Sequence, residues 1–148
     1  MKIKVINGPN LNLLGTREIE LYGKNSLQDL HHWLKSEFPL VDFFFSQSNH
    51  EGEIIDEIQQ CIQNEYSIII NPGGFSHTSV AIYDALLNIT FPKIEVHITN
   101  IHQRESFRHN SITAQACDGV IAGLGCKGYH LAVSAIQLLL AERSNCTI

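Results

Sequence analysis

The 148-residue sequence predicts a single α/β domain, residues 1–148, built on a parallel five-stranded sheet. Predicted strands and helices alternate strictly along the chain, which is the pattern of a parallel sheet covered by helices on both faces. The third predicted strand, at 66–70, is a continuous apolar run of the kind that is buried on both sides. Five strands in a chain of this length fit the flavodoxin-like order 2-1-3-4-5, a three-layer sandwich.

Each predicted element has a local signal in the sequence. The first strand covers 2–7, and the first helix begins after a capping Ser26 and ends before Pro39. A second strand is expected at 41–47, and Asn49 is expected to cap the helix that follows it. The remaining predicted elements are a strand at 66–70, a helix at 78–89, strands at 93–98 and 119–124, and a closing helix at 128–143.

Composition excludes several classes of function. The net charge of -5 and the pI near 5.8 argue against nucleic acid or an anionic membrane as the main partner. No apolar run reaches the length of a membrane span, and the N-terminus has no pattern of a cleaved signal. The four cysteines have neither C-x-x-C nor zinc spacing, so free thiols and a cytoplasmic location are expected: Cys61, Cys117, Cys126 and Cys146.

A long loop at about 8–25 separates the first strand from the first helix. Loops of this length in a small domain are usually functional or disordered, and this one is too apolar for disorder. It carries Asn10, Arg17 and Tyr22, side chains that can bind anions, position groups or exchange protons. We therefore expect it to form one wall of an active site and its lid.

The polar clusters of the chain are predicted to meet in one crevice. Ligands of flavodoxin-like sheets bind beyond the carboxyl ends of the strands. Those ends are predicted at 7–10, 71–78 and 97–100, where the polar residues concentrate. Three of the four arginines also lie in loops, either as ordinary surface residues or, in an acidic protein, where a small anionic substrate binds: Arg17, Arg104 and Arg108.

An acidic residue and a histidine alternate along the fourth predicted strand. Glu95 and His97 share one face of it, and a carboxylate beside an imidazole fixes its tautomer and suits it as a general acid. A purely structural pair is the alternative. Adding His102 makes no defensible ligand spacing, so no metal is predicted. His77 is expected to face the crevice, and the histidines on helices are expected to be solvated: His31, His32 and His130.

Two glycine-containing motifs are candidates for anion binding. The G-L-G-C-K-G run at 123–128 has no following strand with an acidic residue, so a tight turn is favoured over a dinucleotide site. The N-P-G-G-F-S-H-T-S run at 71–79 places backbone N–H groups at a helix N-terminus, either as an anion cradle or as ordinary capping. Tyr22 is a candidate base if Arg17 lowers its pKa; otherwise it is a core residue.

Six segments in order along nearly the whole chain resemble the type II 3-dehydroquinate dehydratases. They are N-G-P-N-L-N-L-L-G-T-R-E at 7–18, Y-G at 22–23, the run at 71–79, E-V-H-I-T-N at 95–100, R-E-S-F-R-H-N-S at 104–111 and G-V-I-A-G-L-G-x-x-G-Y at 119–129. The sequence departs from the family pattern at Ile19, where proline is usual, and at Gly74-Phe75. The resemblance implies a flavodoxin-like enzyme that dehydrates 3-dehydroquinate to 3-dehydroshikimate, a step of aromatic biosynthesis, without a metal or organic cofactor.

The resemblance also implies a role for each site residue. Tyr22 would be the base, Arg17 would stabilise the tyrosinate, and Asn10 would hold a water against the enolate oxygen. His97, oriented by Glu95, would protonate the departing hydroxyl. The substrate-binding residues it implies are Asn71, with the backbone at Ile98 and Thr99, for the carboxylate, and His77 and Arg108 for the ring hydroxyls.

The remaining expectations concern assembly and alternatives. The closing helix has apolar residues on two faces, and the resemblance implies a homo-oligomer, a dodecamer of trimers, in which Asp84 reaches a neighbouring subunit's site. A flavodoxin-like binding module for a nucleotide or other small anion is the alternative function. Schiff-base dehydration is disfavoured, because Lys93 begins its strand at the wrong end of the sheet.

Overall fold

A computed structural model describes residues 1–16 and 24–145 of the chain. Its sheet has five parallel strands in the order β2-β1-β3-β4-β5, so the predicted fold class is confirmed. The strands are β1 (Lys2–Asn7), β2 (Asp42–Gln47), β3 (Ser67–Asn71), β4 (Lys93–His97) and β5 (Gly119–Ala122). Asn7 is in register with Asn71, and His97 with Ala122, so these residues share the carboxyl edge of the sheet.

Four α-helices cover the sheet: α1 (Leu27–Glu37), α2 (Glu51–Asn64), α3 (Val80–Leu87) and α4 (Lys127–Asn145). The predicted cap of α1 is confirmed, because the Ser26 and Asp29 side chains each accept from the other's backbone N–H. The prediction that Asn49 caps α2 is wrong: the N-cap residue is His50, without a side-chain cap bond. α3 begins after Ser79, later than predicted, because a 3₁₀ helix (Gly73–His77) precedes it.

The core fills both spaces between the sheet and its helices. Along β3, Ile69 packs on the α1 and α4 side, whereas Ile68 and Ile70 pack on the α2 and α3 side. All three are fully buried, as the apolar run predicted. The interior residues of α4 are also fully buried beneath β3 and β4: Tyr129, Ala132, Val133 and Ile136.

The chain between β1 and α1 begins as folded structure. A short 3₁₀ helix (Leu11–Leu13) follows β1, and Leu11 and Leu14 lie in the same core cluster as α1 and α4. The remainder of the predicted lid, 17–23, lies outside the described residues.

Two further sequence expectations have definite outcomes. The 123–128 glycine motif forms the turn from β5 into α4, in which Gly123 and Gly125 have positive φ. The expectation that His31 is solvated is wrong. Its ring stacks on Phe45 with centroids 3.9 Å apart, and burial lowers its pKa to about 4.

Within 1–16 and 24–145, no helix has the length and apolar character needed to cross a membrane.

Candidate active site

A cavity of about 160 Å³ lies at the carboxyl edge of the sheet, between the ends of β1, β3 and β4. Its lining comes from the segments whose convergence the sequence predicts. The predicted site residues that line it are Asn10, Asn71, His77, His97, Ile98, Thr99 and Arg108. It is not a general apolar pocket, because polar side chains are arranged around most of its wall.

Asn10 sits on a left-handed turn just after β1, with φ of 68°. Asparagine tolerates this conformation better than most residues, because its short polar side chain can bond locally. The Asn10 backbone N–H donates to Asn49 Oδ1 at 2.9 Å, and the Gln47 amide donates to the same oxygen at 3.2 Å. Asn49 therefore fixes the turn that presents Asn10 to the cavity, rather than capping a helix.

Glu95 and His97 form the buried pair that the sequence predicts. His97 Nε2 lies 2.7 Å from Glu95 Oε1, and the Glu95 side chain has no exposure to solvent. Because a carboxylate only accepts, Nε2 carries a proton and Nδ1 is the ring nitrogen left for the cavity.

Two hydroxyls complete the surroundings of the Glu95 carboxylate. Ser111 donates to Oε1 and Thr113 donates to Oε2, each at 2.6 Å. With His97, the carboxylate thus accepts three short hydrogen bonds. This number of donors satisfies a buried carboxylate and holds it rigidly, so the orientation of His97 is fixed in turn.

The second imidazole of the cavity is held by the same segment of chain. His77 Nδ1 lies 2.9 Å from the Asn110 carbonyl oxygen, which can only accept, so Nδ1 carries the proton. In the neutral ring, Nε2 is then a hydrogen-bond acceptor, suited to a hydroxyl. The rings of His77 and His97 lie nearly parallel, with centroids 6.4 Å apart. The 110–113 segment therefore positions both histidines.

Asn71 ends β3 beneath the cavity and is 4% exposed. Its Oδ1 accepts from the Gly73 N–H at 3.1 Å, and its Nδ2 donates to the Tyr129 hydroxyl at 3.1 Å. One N–H of the amide remains for the cavity, which Asn71 lines. This donor suits an anionic group.

Arginines supply the positive charge of the cavity wall. Arg104 and Arg108 both line it, from the loop after β4. Arg108 Nε donates to Glu105 at 2.8 Å, and its guanidinium lies over the Phe107 ring. Hydrogen bonds from its own backbone N–H and from Arg108 hold the pKa of Glu105 below its usual value. The side chain of Arg108 is thus oriented by neighbours on its own short 3₁₀ turn (Ser106–Arg108).

Two of the predicted site residues that the structure describes do not line this cavity: Glu95, which is fully buried behind His97, and Asp84. Tyr22 and Arg17 lie outside the described residues. Asp84 is exposed on α3, away from the cavity of its own chain.

Local sequence patterns do not predict the residues that hold the site side chains in place through hydrogen bonds. Neither Ser111 nor Thr113 belongs to a local motif with Glu95, and Asn49 is read more naturally as a helix cap. Tyr129 directly follows the glycine motif, and this position is the sequence signal that it lies in the first turn of a closely packed helix.

The described residues offer no cluster of three or more histidine, cysteine or acidic side chains placed to hold a metal ion. Lys93 lies at the amino end of β4, at the opposite edge of the sheet from the cavity, and its Nζ donates to the Ile89 carbonyl at 2.7 Å.

Fold and cavity together define a flavodoxin-like α/β domain with a carboxylate–imidazole pair in a cationic crevice at the carboxyl edge of its sheet. The model of one family, dehydroquinase class II, matches residues 1–137. The chain belongs to this class II dehydroquinase family.

Curated relatives and solved structures agree with this assignment. A 3-dehydroquinate dehydratase of Sulfurovum sp. (strain NBC37-1) is 51% identical over 144 residues, covering 96% of this chain and 89% of the relative. One from Bacillus cereus (strain AH187) is also 51% identical, covering 95% of this chain and 98% of the relative. The crystal structure of a type II dehydroquinase from Butyrivibrio crossotus DSM 2876 superposes with a TM-score of 0.90 at 46% identity, over 93% of this chain and 97% of that one.

Proposed function

We propose that this protein dehydrates 3-dehydroquinate to 3-dehydroshikimate through an enolate intermediate. The observation that carries the proposal is the buried Glu95–His97 pair in a cationic cavity, in a chain of the dehydroquinase family. The reaction removes one proton from the carbon beside the ketone and one hydroxyl from the next carbon. It therefore needs a base, a stabiliser of the enolate oxygen and an acid.

Tyr22 is the proposed base, and Arg17 lowers the pKa of its phenol and stabilises the tyrosinate. Asn10, held on its left-handed turn by Asn49, positions a water against the enolate oxygen, where charge develops in the transition state.

His97 is the proposed acid. It gives the proton on Nδ1 to the departing hydroxyl, which leaves as water. Glu95 holds Nε2–H through a 2.7 Å hydrogen bond and stabilises the imidazolium before the transfer. Burial of the pair keeps bulk water from competing for the proton, because His97 is 5% exposed and Glu95 is fully buried.

The substrate carboxylate lies between the Asn71 amide and the backbone at Ile98 and Thr99. These groups meet at the ends of two neighbouring strands, β3 and β4. His77 accepts from a ring hydroxyl through Nε2, and Arg108 donates to another.

The loop after β1 is the proposed lid. Leu11 and Leu14, near its start, are buried in the core and anchor the beginning of the loop. The described cysteines are all free thiols, which fits the cytoplasmic location that the sequence predicts.

Substituting the base tests the mechanism. Tyr22→Phe keeps the ring but removes the proton acceptor, so turnover should fall by about 10²–10⁴-fold while substrate still binds. The formation of the conjugated enone is followed by ultraviolet absorbance, and substrate binding by calorimetry. Tyr66→Phe, at the other edge of the sheet, is the matched control. Near-normal turnover in Tyr22→Phe would rule out this base.

The proposed enzyme is a homo-oligomer, a dodecamer of trimers. α3 exposes Val80 and Leu87, at 57% and 56%, on either side of Asp84. Positions 80, 84 and 87 share one face of a helix, so the carboxylate lies in an apolar stripe that suits a subunit interface. On α4, Leu131 and Leu138 are also exposed, at 44% and 67%. Asp84 then completes the ring-hydroxyl pocket of the neighbouring subunit.

Mixing two inactive variants tests this shared site. Tyr22→Phe subunits and Asp84→Ala subunits should regain activity after subunit exchange, because one mixed interface contains an intact site. Tyr22→Phe mixed with His97→Ala is the control, since both changes fall in the same subunit's half of the site and a mixture leaves none intact. Demonstrated exchange without recovery of activity would exclude a role for Asp84 across the interface.

A further inference from the structure

A fully buried tyrosine connects the ends of two neighbouring strands, β1 and β3. The Tyr129 hydroxyl donates to Asn7 Oδ1 at 2.6 Å and accepts from Asn71 Nδ2 at 3.1 Å. Asn7 ends β1 and Asn71 ends β3, and the two residues are in register. Tyr129 itself has no exposure to solvent and touches the cavity only through Asn71.

The hydrogen-bond partners determine which side-chain atom is the oxygen and which is the nitrogen in both Asn71 and Asn7. The Gly73 N–H can only donate, so the Asn71 atom facing it is Oδ1, and Nδ2 faces Tyr129. The Tyr129 hydroxyl then accepts from Asn71 and must give its single proton to Asn7 Oδ1. Burial raises the pKa of the Tyr129 phenol above its usual value, so the hydroxyl keeps that proton.

Asn7 shows that this network is not arranged for stability alone. Its Nδ2 is buried and has no hydrogen-bond partner among the described residues. An unsatisfied buried donor destabilises a fold, and an apolar side chain of similar size would avoid it. An asparagine at position 7 is explained if its Oδ1 is needed to accept the Tyr129 proton. The hydroxyl then cannot donate that proton to Asn71 and can only accept from it.

The glycine motif explains how a helix residue reaches this position. A Cβ on Gly128 would lie 3.1 Å from Val96 Cγ1 and 3.5 Å from Ile121 Cγ2, so the start of α4 packs close to the sheet. Tyr129 is the next residue, and its ring extends beneath β3 to β1. The motif therefore allows the close helix–sheet packing from which the Tyr129 phenol reaches both asparagines.

We propose that Tyr129 is a positioning residue that, with Asn7, fixes the Asn71 amide so that it presents an N–H donor, and not its carbonyl oxygen, to the substrate carboxylate. A flipped amide would place an oxygen against the carboxylate and repel it. This inference rests on the proposed function, in which Asn71 binds that carboxylate. It predicts an effect on substrate binding rather than on the chemical step, because the carboxylate is bound alike in the ground state and the transition state.

The experiment is a double-substitution cycle in steady-state kinetics with 3-dehydroquinate. Tyr129→Phe should raise KM by about 5–20-fold with kcat within about threefold of wild type, the signature of lost uniform binding. Asn71→Ala should raise KM at least as much. In the double variant, Tyr129→Phe should cause no further rise in KM beyond that of Asn71→Ala, since Tyr129 acts only through Asn71. Asn7→Ala should raise KM in the same direction and serves in place of Tyr129→Phe if that variant does not fold.

Each result that differs from these expectations excludes a specific part of the proposal. If Tyr129→Phe lowers stability but leaves KM unchanged, or if its effect persists fully in Asn71→Ala, the positioning role is excluded. If Asn71→Ala leaves KM unchanged, the proposed carboxylate site fails, and the inference fails with it. Tyr66→Phe, which removes a hydroxyl at the amino end of β3, should match wild type. Normal turnover in Tyr66→Phe would show that the protein is a dehydratase whatever the role of Tyr129. A rise in KM in Tyr129→Phe can then be assigned to the Tyr129 hydroxyl itself.

Discussion

A substitution at Thr113 directly tests the hydrogen bonds that hold Glu95 and, through it, the proposed acid His97. Its hydroxyl is one of three donors to the Glu95 carboxylate, at 2.6 Å from Oε2, and both residues are fully buried. Thr113→Val replaces the hydroxyl by a methyl group of nearly the same shape. It therefore removes the hydrogen bond while leaving the packing intact.

The expected loss of stability follows from the charge and burial of the acceptor. A hydrogen bond to a charged group contributes about 1.5–3 kcal/mol, and leaving its buried partner unsatisfied places the loss toward the upper end. We expect the free energy of unfolding to fall by about 2–3 kcal/mol. Turnover should fall as well, but less than in His97→Ala, because Ser111 still holds Oε1.

Urea unfolding at one fixed protein concentration measures the first effect, and enone absorbance the second. Thr113→Ser is the matched control, since it keeps the donor and loses only a methyl group, at a cost of about 1 kcal/mol. Wild-type stability in Thr113→Val, or equal losses in the valine and serine variants, would contradict the hydrogen-bond account.

Two further predictions concern stability. Burial against Phe45 lowers the pKa of His31 from 6.5 to about 4. The folded state then binds fewer protons than the unfolded state between these values, so stability should fall by about 1–2 kcal/mol as pH drops through this window, allowing for the ring's partial solvent screening. His31→Phe should lack that part of the pH dependence in urea unfolding; an unchanged profile would refute it. A Cβ on Gly8 would lie 2.3 Å from the Pro72 carbonyl oxygen, so Gly8→Ala should destabilise by about 1–3 kcal/mol. Gly52→Ala, with open space in α2, should instead stabilise by about 0.5–1 kcal/mol, and similar effects at both sites would show that the close approach is unimportant.

The sequence by itself determined the fold class and the place of the site. Strict alternation of strands and helices requires a parallel sheet, and parallel strands all end at one edge, so Asn71, His77 and His97 had to converge. The Glu95–His97 pair was also predictable, because side chains two residues apart on a strand share a face. These inferences need only local periodicity and topology.

Tertiary structure alone decided how the site residues are held. The bonds from Asn10 to Asn49, from Thr113 to Glu95 and from Tyr129 to Asn7 span 39, 18 and 122 residues. Such bonds form only after the strands have taken their register and the helices have packed, and each requires placement to within a few tenths of an ångström. A local pattern does not encode that placement, so the sequence predicts a helix cap at Asn49 and no role for the Tyr129 hydroxyl.

His31 shows the same limit for burial. Its position on α1 suggested a solvated ring, but the face it occupies depends on how α1 lies against β2, where Phe45 stacks on it. Helical periodicity identifies the central stripe of a helix, whereas the residues flanking that stripe are buried or exposed according to the neighbouring strand. The sequence therefore specified which chemistry is present and at which edge of the sheet, and packing specified the orientation of each group that performs it.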